Sequence, residues 1–125
     1  MLSILIPTYN FDINDLVKGL SDQCKAAAIE YEILCFDDGS KEEFKLCNRE
    51  LRAYSSVVYK ELEENHGRSK IRNLLAASAK YPYLLFMDCD SGIVKENYIA
   101  DYISNLSPDK VLYGGRVYKT NLMKC

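Results

Sequence analysis

Two aspartates one residue apart, Asp88 and Asp90, close the apolar run of "LLFMDCDSG". Paired carboxylates at the mouth of a buried strand repel each other and are costly to desolvate, so they ask for a positive charge. In an extended chain residues i and i+2 point the same way, which puts Asp88 and Asp90 on one side and Cys89 on the other. Hard oxygen donors without a histidine or thiolate partner suit Mg²⁺ or Mn²⁺ rather than zinc. Such ions are usually held by one or two carboxylates and completed by substrate phosphates. A metal–diphosphate is therefore one reading of the pair. The plainer reading is a solvated turn and cap before a helix near Lys95, and the D-x-D pattern alone does not separate them.

Three more polar clusters accompany this one. "PTYN", from Pro7 to Asn10, follows an apolar run. Pro7 has no N–H to donate and is expected to end the strand ladder there. Tyr9 then stands at the rim, either against a flat base or merely packed in a capping turn before a helix at Asp12. "DDGS" follows another run: Gly39 permits a positive φ, and Ser40 is a good N-cap for a helix near Lys41. Asp37 could be a turn or cap acid, which is the plain reading for one of the pair. Two adjacent acids exceed what a turn needs, and one carboxylate accepting from a ring N–H would read a pyrimidine edge. In "NHGRSKIRN", Gly67 loosens a turn ahead of a helix whose first N–H groups are unpaired. Arg68 and Arg72, four apart, could face phosphate or hold an acid of the site, while Lys70 reads as solvated. His66, the single histidine, reads as an exposed loop residue.

These clusters need elements to position them. Candidate strands are Leu2–Ile6, Glu32–Phe36, Val57–Lys60, Tyr83–Met87 and Val111–Tyr113. Most are continuous in apolar residues rather than alternating, as strands covered on both faces are. Between them lie amphipathic stretches. One helical face carries Ile13, Leu16, Val17, Leu20 and Cys24, and a second carries Phe44, Cys47, Leu51 and Tyr54. Ile71, Leu74, Leu75 and Ala79 form a third, and Tyr98, Ile99, Tyr102 and Ile103 a fourth. Strand and helix alternating at this pitch predict a mostly parallel sheet with helices on both faces. Ligands of such sheets gather outside the carboxyl ends of the strands, where three of the clusters fall; "NHGRSKIRN" lies between the third strand and its helix.

The bulk composition sets the outer bounds. A chain of 125 residues, 48% hydrophobic and 27% charged, suits one globular domain. Sixteen basic against 18 acidic residues give no case for non-specific nucleic-acid binding. The 5 cysteines are odd in number, with no C-x-x-C pair. They predict no zinc site and no disulfide framework, and Cys24, Cys35 and Cys47 are expected to be buried. "MLSILIPTYN" has neither a charged leader nor a spanning run, so a cytoplasmic protein is expected.

Taken in order, "SILIPTYN", "EILCFDDGS", "NHGRSKIRNLLAASA" and "YLLFMDCDSG" resemble the nucleotide-sugar-binding half of the family 2 inverting glycosyltransferases. The likeness runs over essentially the whole chain. It implies a GT-A fold, a Rossmann-like α/β sandwich that binds a nucleotide-diphospho-sugar, most simply a UDP-sugar. Carried over by position, Tyr9 lies near the base, and Asp38 accepts from the uracil ring N–H. Asp88 binds near the ribose, and Asp90 ligates the Mn²⁺ or Mg²⁺ that bridges the diphosphate. Pro7, Thr8 and Arg72 line or brace the pocket. The resemblance further implies a glycan or lipid-linked acceptor, with peripheral membrane association through it, and a role in polysaccharide biosynthesis.

Two departures stand out. Ser91 occupies the place where family members often carry a further acid. The acceptor-binding half, with the carboxylate that serves as general base, is expected beyond Cys125, so residues 1–125 read as a single donor-binding domain truncated before it. The late stretch "VLYGGRVY" is expected to expose apolar surface and favour weak self-association. A non-catalytic nucleotide-binding module and a nucleotidyltransferase of related fold are the alternatives, though "PTYN" is not the Gly-rich basic loop of the latter. A phosphoacceptor receiver domain is set aside because the acidic pair follows the second strand, not the first.

Overall fold

The computed structural model describes residues 1–91, 98–104 and 112–113. Five parallel strands carry the chain: β1 Leu2–Thr8, β2 Tyr31–Asp37, β3 Val57–Glu61, β4 Tyr83–Phe86 and β5 Leu112–Tyr113. Their order is β3-β2-β1-β4-β5. The helices are α1 Asn14–Ala26, α2 Glu42–Asn48, α3 Arg68–Ser78 and α4 Tyr98–Ser104. A 3-10 turn, Arg49–Ala53, continues α2.

Strand β1 is central and its side chains divide between two cores. Leu2, Ile4 and Ile6 pack with Leu16, Val17, Leu20 and Cys24 of α1, Leu51 of the 3-10 turn and Ile99 of α4. Leu5 points the other way, into a smaller core with Leu34, Phe36, Ile71 and Leu75. Each fully buried Leu or Ile contributes about 1.5–3 kcal/mol relative to exposure, so both faces hold the sheet. The predicted α/β sandwich is the observed one. Among the described residues coverage is unequal, because α3 alone supplies the helix of the smaller core, and Leu74 on α3 stays exposed.

Several local expectations change. Pro7 does not end β1, which runs on to Thr8 in register with Asp37. Met87 N donates to Leu5 O, and Asp38 N donates to Thr8 O. Alternate residues of β1 therefore bond β4 and β2, and Pro7 turns its missing N–H toward β4, whose pairing has already ended at Phe86. Helix α1 starts at Asn14 rather than Asp12; Asp12 instead accepts from Asn14 N at 3.0 Å. Ser40 makes no cap bond to α2. The second amphipathic stretch breaks at Arg49 into the 3-10 turn, so Leu51 is buried while Cys47 is exposed, contrary to expectation. Polar Asn48 takes the buried place. Cys24 and Cys35 are buried as predicted, and burial pushes the Cys24 thiol up to about 12. Val111 and most of "VLYGGRVY", the helix start near Lys95, and Cys125 lie outside the described residues. No described helix is long and apolar enough to cross a membrane.

Candidate functional site

The chain leaves β3 to return by α3 to the far side of β1, so the connection direction reverses between β1 and β4. Open parallel sheets bind ligands outside the strand ends at such a reversal. A cavity of about 520 Å³ opens there. The end of β1 contributes Pro7, Thr8 and Tyr9 to its lining. Asp38 enters from β2, and Asp88, Cys89 and Asp90 from β4. Because β1 lies between β2 and β4, the two acidic groups sit on opposite sides of its end, about 10 Å apart by two strand spacings.

Asp38 is 6% exposed and holds the loop that precedes α3. Its Oδ1 accepts from His66 N at 2.7 Å and its Oδ2 from Gly67 N at 3.1 Å. Asn65 Nδ2 donates to the Asp38 carbonyl at 3.0 Å. Gly39, at φ +83, makes the approach feasible, since a Cβ there would lie 3.0 Å from Asn65 N. Each carboxylate oxygen carries two lone pairs, so these bonds leave acceptor capacity toward the cavity. His66 is half-buried rather than exposed, with ring Nδ1 3.8 Å from Asp38 Oδ1.

Asp37 turns the other way. It is fully buried and accepts hydrogen bonds from Ser40 N at 2.8 Å and from the Ser40 hydroxyl. Asp37 is thus the turn acid of the pair. Helix α3 has Gly67 at its N-cap with φ +88, and Gly67, Arg68 and Ile71 of its first turn line the cavity. The N–H groups of that turn and the Arg68 side chain give this wall positive potential. Arg72 lies one turn further, its guanidinium 4.8 Å over the Phe86 ring, outside the lining.

On the opposite wall the chain does not stay extended after β4. Ser91 N donates to Asp88 O at 3.0 Å, closing a turn over 88–91. The strict alternation expected of Asp88, Cys89 and Asp90 is lost, and all three reach the cavity. Asp88 is half-buried and Asp90 exposed. Among the described residues no cluster of three or more candidate ligand side chains forms. A pair of hard carboxylates open to the cavity fits a divalent ion completed by phosphate and water oxygens. Phe11, Asn65, Ile71 and Cys89 also line the cavity, although the sequence pattern does not mark them as site residues. Phe11 carries a signal, an aromatic two residues after Tyr9; Ile71 carries none beyond its core periodicity.

The sheet order and the cavity at its switch point are those of a GT-A-like α/β domain. The chain belongs to glycosyl transferase family 2, whose family model matches residues 3–123. It is 33% identical over 121 residues to a chondroitin synthase of Escherichia coli, covering 94% of this chain and 17% of that protein. Over 105 residues it is 33% identical to a poly(ribitol-phosphate) beta-glucosyltransferase of Bacillus spizizenii, covering 81% of this chain and 16% of that one. The crystal structure of S. aureus TarS 1-349 in complex with UDP superposes with a TM-score of 0.67 at 27% identity, covering 82% of this chain and 31% of that one. The chain therefore spans less than a third of each of these proteins.

Proposed function

We propose that this chain is the donor-binding part of a metal-dependent inverting glycosyltransferase that uses a UDP-sugar. The observation that carries the reading is the placement of Asp38 and of Asp88 with Asp90 on opposite sides of the β1 end within one cavity. That separation suits a nucleoside at one side and a diphosphate at the other. Tyr9 and Phe11 offer rings to the base, and Asp38 accepts from its ring N–H. Asp88 faces the ribose and shares the ion with Asp90, while Arg68 and the first turn of α3 meet phosphate charge. Arg72 braces β4 from outside. Bound Mn²⁺ or Mg²⁺ neutralises charge developing on the leaving diphosphate.

The general base that deprotonates the acceptor hydroxyl falls outside this set of residues. Among the described residues, every acid lining the cavity is already engaged with nucleoside or metal in the reading, and Asp37 is sealed behind Ser40. Residues 1–125 alone are therefore expected to bind donor without transferring sugar. A glycan acceptor is supported by the relatives named above; a lipid-linked acceptor and a cytoplasmic setting are part of the same proposal.

The test is a melting experiment with UDP in Mn²⁺ or in EDTA. Ligand at a hundred times its Kd adds about 2.7 kcal/mol, a readable shift. Asp90→Asn should remove the Mn²⁺-dependent part. An equal shift in EDTA would sink the metal assignment.

A further inference from the structure

The two rings offered to the base are little packed by the protein itself: Tyr9 is 51% exposed and Phe11 41%. Their direction is therefore set by the main chain that carries them, and that main chain is held by residues that do not line the cavity. Asn10 N donates to Ser40 Oγ at 2.7 Å, and Lys41 N returns a bond to Asn10 Oδ1 at 2.8 Å. The single hydroxyl proton of Ser40 is donated in a hydrogen bond to the buried Asp37 carboxylate, so a lone pair of its oxygen faces Asn10 N. One residue on, Asn48 Nδ2 donates to Phe11 O at 2.7 Å, and Ile13 N donates to Asn48 Oδ1 at 3.0 Å. Asn48 is fully buried and Ser40 6% exposed. Asn10 itself sits at φ +49, in the left-handed region that Asn tolerates better than most residues.

We propose that Asn10, Ser40 and Asn48 are positioning residues for nucleoside recognition. Four reciprocal bonds clasp the loop between β1 and α1 to the loop before α2 and to the end of α2. Tyr9 and Phe11 are thereby set before the base arrives. Ordering a loop costs binding energy when it happens on association, and a loop ordered in advance avoids that cost. A buried amide whose donor and acceptor are both spent on a loop backbone rigidifies that loop as an apolar residue could not. The inference rests on the reading of the cavity as a nucleotide site.

Calorimetric titration of the full chain with UDP and Mn²⁺, with uridine, and with pyrophosphate and Mn²⁺ tests it. Asn48→Ala and Ser40→Ala should each weaken UDP and uridine about tenfold, the ordering of one or two side chains, and leave pyrophosphate within about twofold. In a Tyr9→Ala, Phe11→Ala background, Asn48→Ala should cost no further UDP affinity, because coupled residues are non-additive. Additive losses, or a lower Tm with uridine affinity intact, would overturn the assignment. Should Asn48→Ala fail to fold, Ser40→Ala, which removes a single hydroxyl, carries the same cycle. Failure of the unaltered chain to bind either uridine or UDP would instead overturn the nucleotide reading itself, and the positioning role with it.

Discussion

Asp37 and Asp38 are adjacent in sequence and opposite in duty. Alternation along β2 turns Asp37 inward to Ser40 and leaves Asp38 at the cavity wall. Asp38 has two attachments in the proposed function: backbone N–H groups of the loop ahead of α3, and a ring N–H of the base. Asp38→Ala should weaken uridine and UDP by about 1.5–3 kcal/mol, the range for a hydrogen bond to a charged group. Pyrophosphate with Mn²⁺ should lose less, since the α3 wall shifts but the β4 acids do not. Equal losses for both ligands in a calorimetric comparison would leave Asp38 as a loop-holding residue only.

At the scale of elements, the break between α2 and the 3-10 turn places Arg49 between two acids. Its Nε and Nη2 pair with both Glu61 oxygens at 2.7 and 2.9 Å, and its Nη1 meets Glu42 at 2.9 Å. This fork ties the turn to edge strand β3. The Arg49 hydrogen bonds hold the Glu61 carboxyl below its ordinary value of 4.5. A carboxylate depressed in the folded state adds stability that is present above its unfolded pKa and lost as pH falls through its folded pKa. Acidification below 4.5 should therefore destabilise the native chain, and Glu61→Gln should flatten that part of the profile. Urea melts across pH 3–7, a window chosen to span the carboxylate range, check this; an unchanged acid slope would mean the fork is too solvated to matter.

For the whole molecule, the larger core between the sheet, α1 and α4 shelters two thiols. Burial raises both Cys24 and Cys35, so neither presents a thiolate near neutrality. Cys47 lies on the surface of α2. A thiol reagent should label Cys47 at once, and Cys24 and Cys35 only at the rate of global opening. Peptide mapping of the labelled chain reads this directly. Fast labelling of Cys35 would show that the central strands open separately from the rest.

Much of this architecture is legible in the residues alone. The strands of the sheet, the α1 face from Ile13 to Cys24, and the acid clusters at the strand ends all follow from local pattern. A strand buried on both faces must be continuously apolar, and polar groups accumulate where it ends. The positive φ of Gly39 is legible for the same local reason. What needs the tertiary structure is everything decided by a partner distant in sequence. Whether Pro7 stops a strand depends on which neighbour its nitrogen faces. Ser40 reads as a helix cap until Asn10, 30 residues away in sequence, claims its oxygen. Cys47 and Asn48 exchange the places their polarity suggests, because the chain changes pitch at Arg49 and the Phe11 carbonyl needs a donor. Local propensity is a property of a few consecutive residues, whereas satisfying a buried polar group is a property of whichever strands and loops the fold brings beside it.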